Sequence, residues 1–154
     1  MQTRRDRFCS QGDVLKHVVA LDDTAQVVGF ARAYCRTVTW HGRAVVLGGL
    51  GDVCTDPVHR HRGIATTVAQ AAMQELHAAG CDMAYLCAEV DDPGIVRLYG
   101  QVGFVPLRRP HSYFGESGAL YTAVDGMIAP VRSPALFDNV LNDREPFHIG
   151  TGNW

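Results

Sequence analysis

Arg60-His61-Arg62-Gly63 stands directly before the apolar rhythm of Ile64, Val68, Ala72 and Leu76. Positive side chains at the mouth of a helix repel the partial positive charge that the backbone dipole already places there. An anion between them resolves the conflict. The first N–H groups of a helix lack internal partners, and a glycine lets a ligand approach the backbone closely. Arg60, Arg62 and Gly63, with the backbone amides from His61 through Ile64 and Ala65 to Thr66, therefore read as a cradle for a pyrophosphate. The plain alternative is a pair of solvated surface arginines. No GxGxxG motif occurs and no Lys-Ser or Lys-Thr follows the glycine, which excludes the dinucleotide fingerprint and the P-loop. No basic and aromatic surface surrounds the cluster in sequence, so nucleic acid is not the expected partner.

The elements that must hold this cradle follow from periodicity. His17–Leu21 reads as a strand, Asp22-Asp23 as a turn, Gln26–Trp40 as a long strand and His41-Gly42 as a tight turn. Arg43–Thr55 completes an antiparallel meander. Its glycines Gly48, Gly49 and Gly51 are unusual in a strand and mark a bend or a close approach. After Pro57 the period changes to about 3.6, giving a helix that ends near Gly80. Cys81–Glu89 reads as a strand, and Asp92-Pro93 starts a short helix that closes at Gly103. Strand, helix, strand from Val53 through Leu86 implies parallel pairing with a right-handed crossover. Phe104–Leu107, Ala119–Val124 and Gly126–Val131 are strand-like, followed by an irregular tail.

The chain has 154 residues, 47% of them hydrophobic and 19% charged, which suits one globular domain able to bury a core without disulfides or metal. The expected organisation is a single domain over 1–154, with 1–16 a residual N-terminal segment and 119–154 the C-terminal strands and tail. A formal charge of -2 gives no general pull toward nucleic acid or anionic membranes, so the basic cluster acts locally. The five cysteines, Cys9, Cys35, Cys54, Cys81 and Cys87, form no CxxC pair and lie mostly in apolar runs, which favours free buried thiols in a reducing compartment. No metal site is expected. No apolar run reaches the length of a membrane span and the first residues lack a signal-peptide core, making the cytoplasm the expected address.

Two motifs carry a family resemblance. Thr55-Asp56-Pro57 followed by Arg60-His61-Arg62-Gly63-Ile64-Ala65 resembles the acetyl-CoA signature of the GNAT superfamily of N-acetyltransferases. Leu98-Tyr99 and Gly103-Phe104 are similar to the second family motif, a helix with a tyrosine that ends in Gly-Phe. The match covers roughly Val27 to Leu107. The resemblance implies an α/β (α+β) GNAT fold: a mixed central sheet whose neighbouring parallel strands splay apart, flanked by helices, here with the N-terminal strand and helices shortened. It places the pantetheine arm of acetyl-CoA in the opening, against the backbone of Val53, Cys54 and Thr55. Arg60 through Thr66 then hold the pyrophosphate, and Asp92 at the mouth of the short helix joins the cofactor set.

Acetyl transfer to an amine requires a neutral amine, a donor to the thioester oxygen and a proton for the departing thiolate. The resemblance assigns the last role to Tyr99. Asp52 and Glu89 are the acidic residues nearest the splayed strands and the candidate bases, acting directly or through water. Many family members carry a glutamate where this chain has Gly49 or Gly51, a departure that weakens the case for a direct carboxylate base. Cys54 and Cys87 are set aside as inert packing. The ending HIGTGNW looks like that of the aminoglycoside 2'-N-acetyltransferases. That likeness makes Trp154 a substrate residue, with His111 and Tyr113 on the loop after the Gly-Phe motif and an acidic rim from Asp143 and Glu145. The expected function is acetyl-CoA-dependent acetylation of a small primary amine, such as an aminoglycoside or polyamine. A protein or peptide N-acetyltransferase and a non-catalytic acyl-CoA-binding module are the alternatives. A short N-terminus leaves a strand edge open, and a homodimer is the expected way to cover it.

Overall fold

The computed structural model describes residues 11–154. A one-turn 3-10 segment at Gln11–Asp13 leads into an antiparallel meander of β1 (Val14–Leu21), β2 (Val27–Trp40) and β3 (Arg43–Thr55). Asp22 makes the first turn by accepting from the backbone N–H groups of Thr24 and Gln26 at 2.8 and 3.0 Å. His41 and Gly42 take φ of 46° and 75°, the left-handed pair that a two-residue hairpin requires. The meander therefore starts three residues ahead of the expected strand at His17.

A 3-10 turn at Pro57–His59 precedes α1 (Ile64–Ala78), which crosses the sheet and delivers β4 (Met83–Cys87) parallel to β3. Then come α2 (Pro93–Gly100), β5 (Val105–Pro106), β6 (His111–Phe114), β7 (Leu120–Ala123), β8 (Gly126–Pro130), α3 (Pro134–Asn142) and β9 (Phe147–Thr151). The main sheet is mixed, in the order β1-β2-β3-β4-β8-β5, and a smaller one runs β7-β6-β9. This is the expected α/β architecture with flanking helices. The tail expected to be irregular contributes α3 and β9. Its signal was present: Pro134 sits at the first turn, and Leu136, Phe137, Val140 and Leu141 share one helical face.

Two hydrophobic layers pack on opposite faces of the main sheet. Val68, Ala69, Ala72 and Leu76 of α1 close one face against Ala31, Ala33, Leu50 and Leu86, with Phe104 beside them. On the other face Tyr34, Leu47, Met83, Tyr85 and Ile128 meet Leu136 and Val140 of α3, Phe147 and Ile149 of β9, and Trp154. Trp154 is held from several sides. Its ring stacks on Tyr34 at 5.2 Å between centroids, and the Arg36 guanidinium lies 3.7 Å from its ring centre. Arg36 also donates to the carbonyls of Ile149 (2.6 Å) and Gly152 (3.1 Å), tying β9 and the residues after it to β2.

The glycines of β3 do something other than bend it. A Cβ on Gly48 would meet Leu76 Cδ1 at 2.8 Å, and one on Gly49 would overlap the Trp154 ring. They are where α1 and the tail come close to β3. The bend belongs to Asp52, at φ 54°. There β3 carries one more residue than β2 between the pairs Phe30↔Cys54 and Arg32↔Gly51. This is a β-bulge.

His111 is the one fully buried polar or charged residue among the described residues. Burial pushes its pKa below the usual 6.5, against the opposing pull of Asp125. His148 is also lowered, by burial and by the charge of Arg36.

Gly49→Ala drives a methyl group into the Trp154 ring, and such overpacking costs about 1–3 kcal/mol. The expected result is a lower urea midpoint with red-shifted tryptophan emission, and an unchanged midpoint and spectrum would refute the packing described here. Both histidines set a pH dependence whose sign is fixed. Below pH 6.5 the unfolded chain takes up protons that folded His111 and His148 resist, so stability falls as pH drops through and below that value. Urea midpoints between pH 7.5 and 5 should decline, less steeply in His111→Gln; a flat profile contradicts the buried neutral imidazole.

Candidate active site

Pairing of β3 with β4 is confined to Leu47↔Met83, Gly48↔Ala84 and Gly49↔Tyr85. Beyond Gly49 the bulge turns β3 away and the two parallel strands separate. Asp52 can hold its left-handed backbone because Arg32 reaches its carboxylate at 2.9 Å and the Tyr34 hydroxyl donates to it at 2.9 Å. At the opening Cys87 N–H donates across to the Trp154 carbonyl at 3.2 Å, where a β3 carbonyl would otherwise sit.

The loop after β3 is shaped by local chemistry. Asp56 caps the 3-10 turn through Val58 N–H at 2.9 Å. His61 and Gly63 then take φ of 62° and 77°, and α1 begins at Ile64 with no side chain capping its first turn. A Cβ on Gly63 would meet nothing within 4 Å, so glycine serves the left-handed conformation there. Alternating backbone hands of this kind turn successive N–H groups toward one point and form an anion-binding concavity.

A cleft of about 800 Å³ opens at this point. Val53, Cys54 and Thr55 of β3 form one wall, Arg60, His61 and Gly63 to Thr66 the floor, and Ile95, Leu98, Tyr99 and Gln101 the opposite wall. The expected cofactor residues are thus gathered in one place, with two exceptions. Arg62 lines an adjoining hollow with Leu21, Asp22, His59 and Ile64. Asp92 caps α2, accepting from Gly94 and Ile95 N–H at 2.7 and 3.3 Å, and does not line the cleft. The cleft suits the phosphates and pantetheine of an acyl-CoA: uncapped amides with basic neighbours stand at one end, and Thr55 Oγ1 is shielded from water with no hydrogen-bond partner.

Tyr99 lines this cleft, half-buried and edge-on to Phe104 at 6.2 Å. Burial raises its pKa above 10, which keeps the hydroxyl protonated and able to donate. The two candidate bases stand elsewhere. Asp52 is engaged by Arg32 and Tyr34, Glu89 is exposed beyond the end of β4, and neither lines the cleft.

The opposite face of the sheet carries a polar cluster. Tyr85 of β4 donates to Asn153 Oδ1 at 2.7 Å and lies 2.7 Å from His111 Nε2. A phenol has one proton, so with that proton on Asn153 the imidazole must donate through Nε2. Cys87 Sγ donates to Asp125 Oδ2 at 3.1 Å, and Asp125 Oδ1 lies 3.9 Å from His111 Nε2. Tyr113 stacks between His111 and Tyr121 at 6.1 and 5.7 Å. His111, Tyr113 and Trp154 therefore do sit on one face. Asp143 does not join them: it accepts from Trp40 Nε1 at 3.0 Å and pairs with His41 at 2.7 Å, at the β2–β3 turn, the far end of β3 from the opening. Glu145 is exposed, and its carbonyl accepts from Arg109.

Sequence reasoning missed Tyr85, Asp125 and Asn153. The available signal was Asp125-Gly126 at the start of β8: a Cβ on Gly126 would lie 2.9 Å from His111 Nδ1 and 3.0 Å from Tyr85 Cε2. Its meaning depends on β4 and β8 being neighbours, which local sequence does not reveal.

Comparisons with known proteins bear on the family and the fold. An N-alpha-acetyltransferase MAK3 of Arabidopsis thaliana is 36% identical over 56 residues, 36% of this chain and 30% of that protein. The N-alpha-acetyltransferase 30 of Saccharomyces cerevisiae is 24% identical over 84 residues, 54% of this chain and 48% of that protein. The matches thus span less than half the length of either curated relative. Among solved structures, a GNAT family N-acetyltransferase of Escherichia coli in complex with CoA has a TM-score of 0.61 at 19% identity, covering 91% of this chain and 68% of that one. Naa20 of Chaetomium thermophilum, solved with a bisubstrate analogue, has a TM-score of 0.61 at 14% identity, covering 86% and 74%. These likenesses concern the fold. The family model for the acetyltransferase (GNAT) domain matches residues 2–106, more than half of the chain, and the chain belongs to that family.

Proposed function

We propose that this chain transfers the acetyl group of acetyl-CoA to a primary amine. The observation that carries the reading is the uncapped first turn of α1, with His61 and Gly63 in left-handed backbone and Arg60 beside it, opening into a cleft walled by β3 and α2. Acetyl-CoA is the acyl-donor substrate. Arg60 and the amides from His61 to Thr66 bind its phosphates, Val53 to Thr55 offer backbone groups freed from β4, and Tyr99 holds a proton for the thiolate. The N–C bond forms as the C–S bond breaks. The amine sheds one proton before attack and a second as the amide forms; the thiolate takes up one, and the other leaves to solvent.

The acceptor arrives from the face that carries His111, Tyr113 and Trp154. A small-molecule amine, an aminoglycoside or polyamine, is the reading drawn from the chain's ending. A peptide α-amine is the second reading, supported by the names of both curated relatives. The proposal includes a cytoplasmic site of action. It also includes a homodimer that covers the exposed Leu15, Val19 and Leu21 of edge strand β1, which light scattering at micromolar concentration tests directly; a monomer removes it.

Calorimetry with acetyl-CoA and detection of free CoA thiol with peptide and small-amine acceptors test the activity. Binding with turnover of peptides alone selects the second reading, and binding without turnover of any amine selects a non-catalytic module. Arg60→Glu should weaken acetyl-CoA binding about tenfold or more by placing negative charge beside the phosphates. Tyr99→Phe should leave that affinity intact and lower kcat about a hundredfold. Wild-type affinity in the first variant, or wild-type kcat in the second, removes the role assigned to that residue.

A further inference from the structure

We propose that Asp125 is the group that captures the protonated acceptor amine on the far side of the β3–β4 opening. The inference rests on the acetyl-transfer reading and extends it to a residue that the family motifs do not include.

Position comes first. Cys87 is the last residue of β4, beyond the final pair with β3, and its amide bonds to Trp154. Its side chain belongs with the layer of Tyr85, Tyr113 and Trp154, opposite the layer that holds α1 and Tyr99. Asp125 is attached to this point twice: its carboxylate accepts from the Cys87 thiol, and its carbonyl accepts from Ala88 N–H at 3.0 Å. The carboxylate therefore stands on the face opposite α1, at the point where β3 and β4 part.

Capacity comes second. An ionised carboxylate offers about four acceptor sites. Asp125 uses one, on Oδ2, while Oδ1 has no hydrogen-bond partner. Its side chain is 44% exposed while Oδ1 itself is shielded from water, so a ligand reaches the carboxylate from its Oδ2 side. Burial pushes the Cys87 thiol up to about 12, so it remains a neutral donor that aims the carboxylate and is not a nucleophile. The surrounding groups are Tyr85, His111, Tyr113 and Asn153. His111 is held toward its neutral form, and among the described residues no arginine or lysine bonds to Asp125. An anion without a fixed cation, beside the stacked rings of Tyr113 and Tyr121, is the chemistry that receives an ammonium ion.

The test uses the whole chain at saturating acetyl-CoA, with spermidine and an N-terminally free alanyl tripeptide amide as acceptors. Asp125→Asn should raise KM for the amine that turns over about tenfold to a hundredfold, the scale of a charge-assisted hydrogen bond. Acetyl-CoA affinity should stay unchanged and kcat within about threefold. Asp125→Glu, which keeps the charge, should recover most of the loss. Should Asp125→Asn fail to fold, Asp125→Ser, also neutral, carries the same comparison. Wild-type KM in the neutral variant, or equal losses in the neutral and glutamate variants, overturns the proposal and leaves acetyl transfer standing. A wild-type protein that releases no thiol with either acceptor overturns both.

Discussion

One left-handed residue in a strand organises this fold. Asp52 at φ 54° costs backbone energy that any non-glycine residue resists, and it persists because Arg32 and Tyr34 over-determine its position. Its effect is to stop β3 from following β4 after three residue pairs. A continuous parallel ladder would satisfy the backbone groups of Val53 to Thr55 and close the sheet. The interrupted ladder leaves them available in the wall of a cleft, and on the other face the Trp154 carbonyl bridges the gap by accepting from Cys87 N–H. The residue whose charge invited a catalytic reading is better understood as the one that builds the opening.

The neighbouring elements are positioned relative to that gap between β3 and β4. α1 must start just beyond the end of β3, so the loop from Asp56 to Gly63 reverses the chain in a few residues, and it does so with a capped 3-10 turn followed by two left-handed residues. The conformation that makes the sharp reversal also turns the amides outward. On the other face, Gly49 and Gly51 lack side chains where Trp154 comes close, and Arg36 anchors the carbonyls that lead to it. The tail is therefore part of the second core layer, and its tryptophan covers β3 on that face.

Legibility in the sequence followed contact distance. The meander, α1, β4 and α2 were readable because their signals are local: alternation, caps, a change of period. The cradle was readable for the same reason, since a helix mouth and its basic neighbours are adjacent in the chain. α3 was overlooked although Pro134 and the Leu136, Phe137, Val140 spacing announced it. The face proposed for the acceptor was the least legible. Asp125, His111, Tyr85 and Asn153 come from four separate parts of the chain, brought together by β4 pairing with β8 and β6 pairing with β9. No spacing rule connects residues whose proximity is set by sheet order. The glycines of β3 are legible as marking a bend or a close approach, and Gly48 and Gly49 serve the second, against Leu76 and Trp154.

The two faces also divide charge. The phosphates of the proposed donor need cations, and Arg60, His61 and Arg62 lie on the side of α1; a protonated acceptor needs an anion, and Asp125 lies on the other. Were these groups adjacent they would neutralise one another and bind neither ligand. Between them stand the strands themselves and neutral polar groups: Tyr85, whose pKa burial drives far upward, and the protonated Cys87 thiol. A sheet a single layer thick, whose strands β3 and β4 part beyond Gly49, separates the two proposed sites. In this arrangement the bulge at Asp52 parts the strands, and the sheet around it keeps the basic cluster and the Asp125 carboxylate from collapsing into an internal salt bridge.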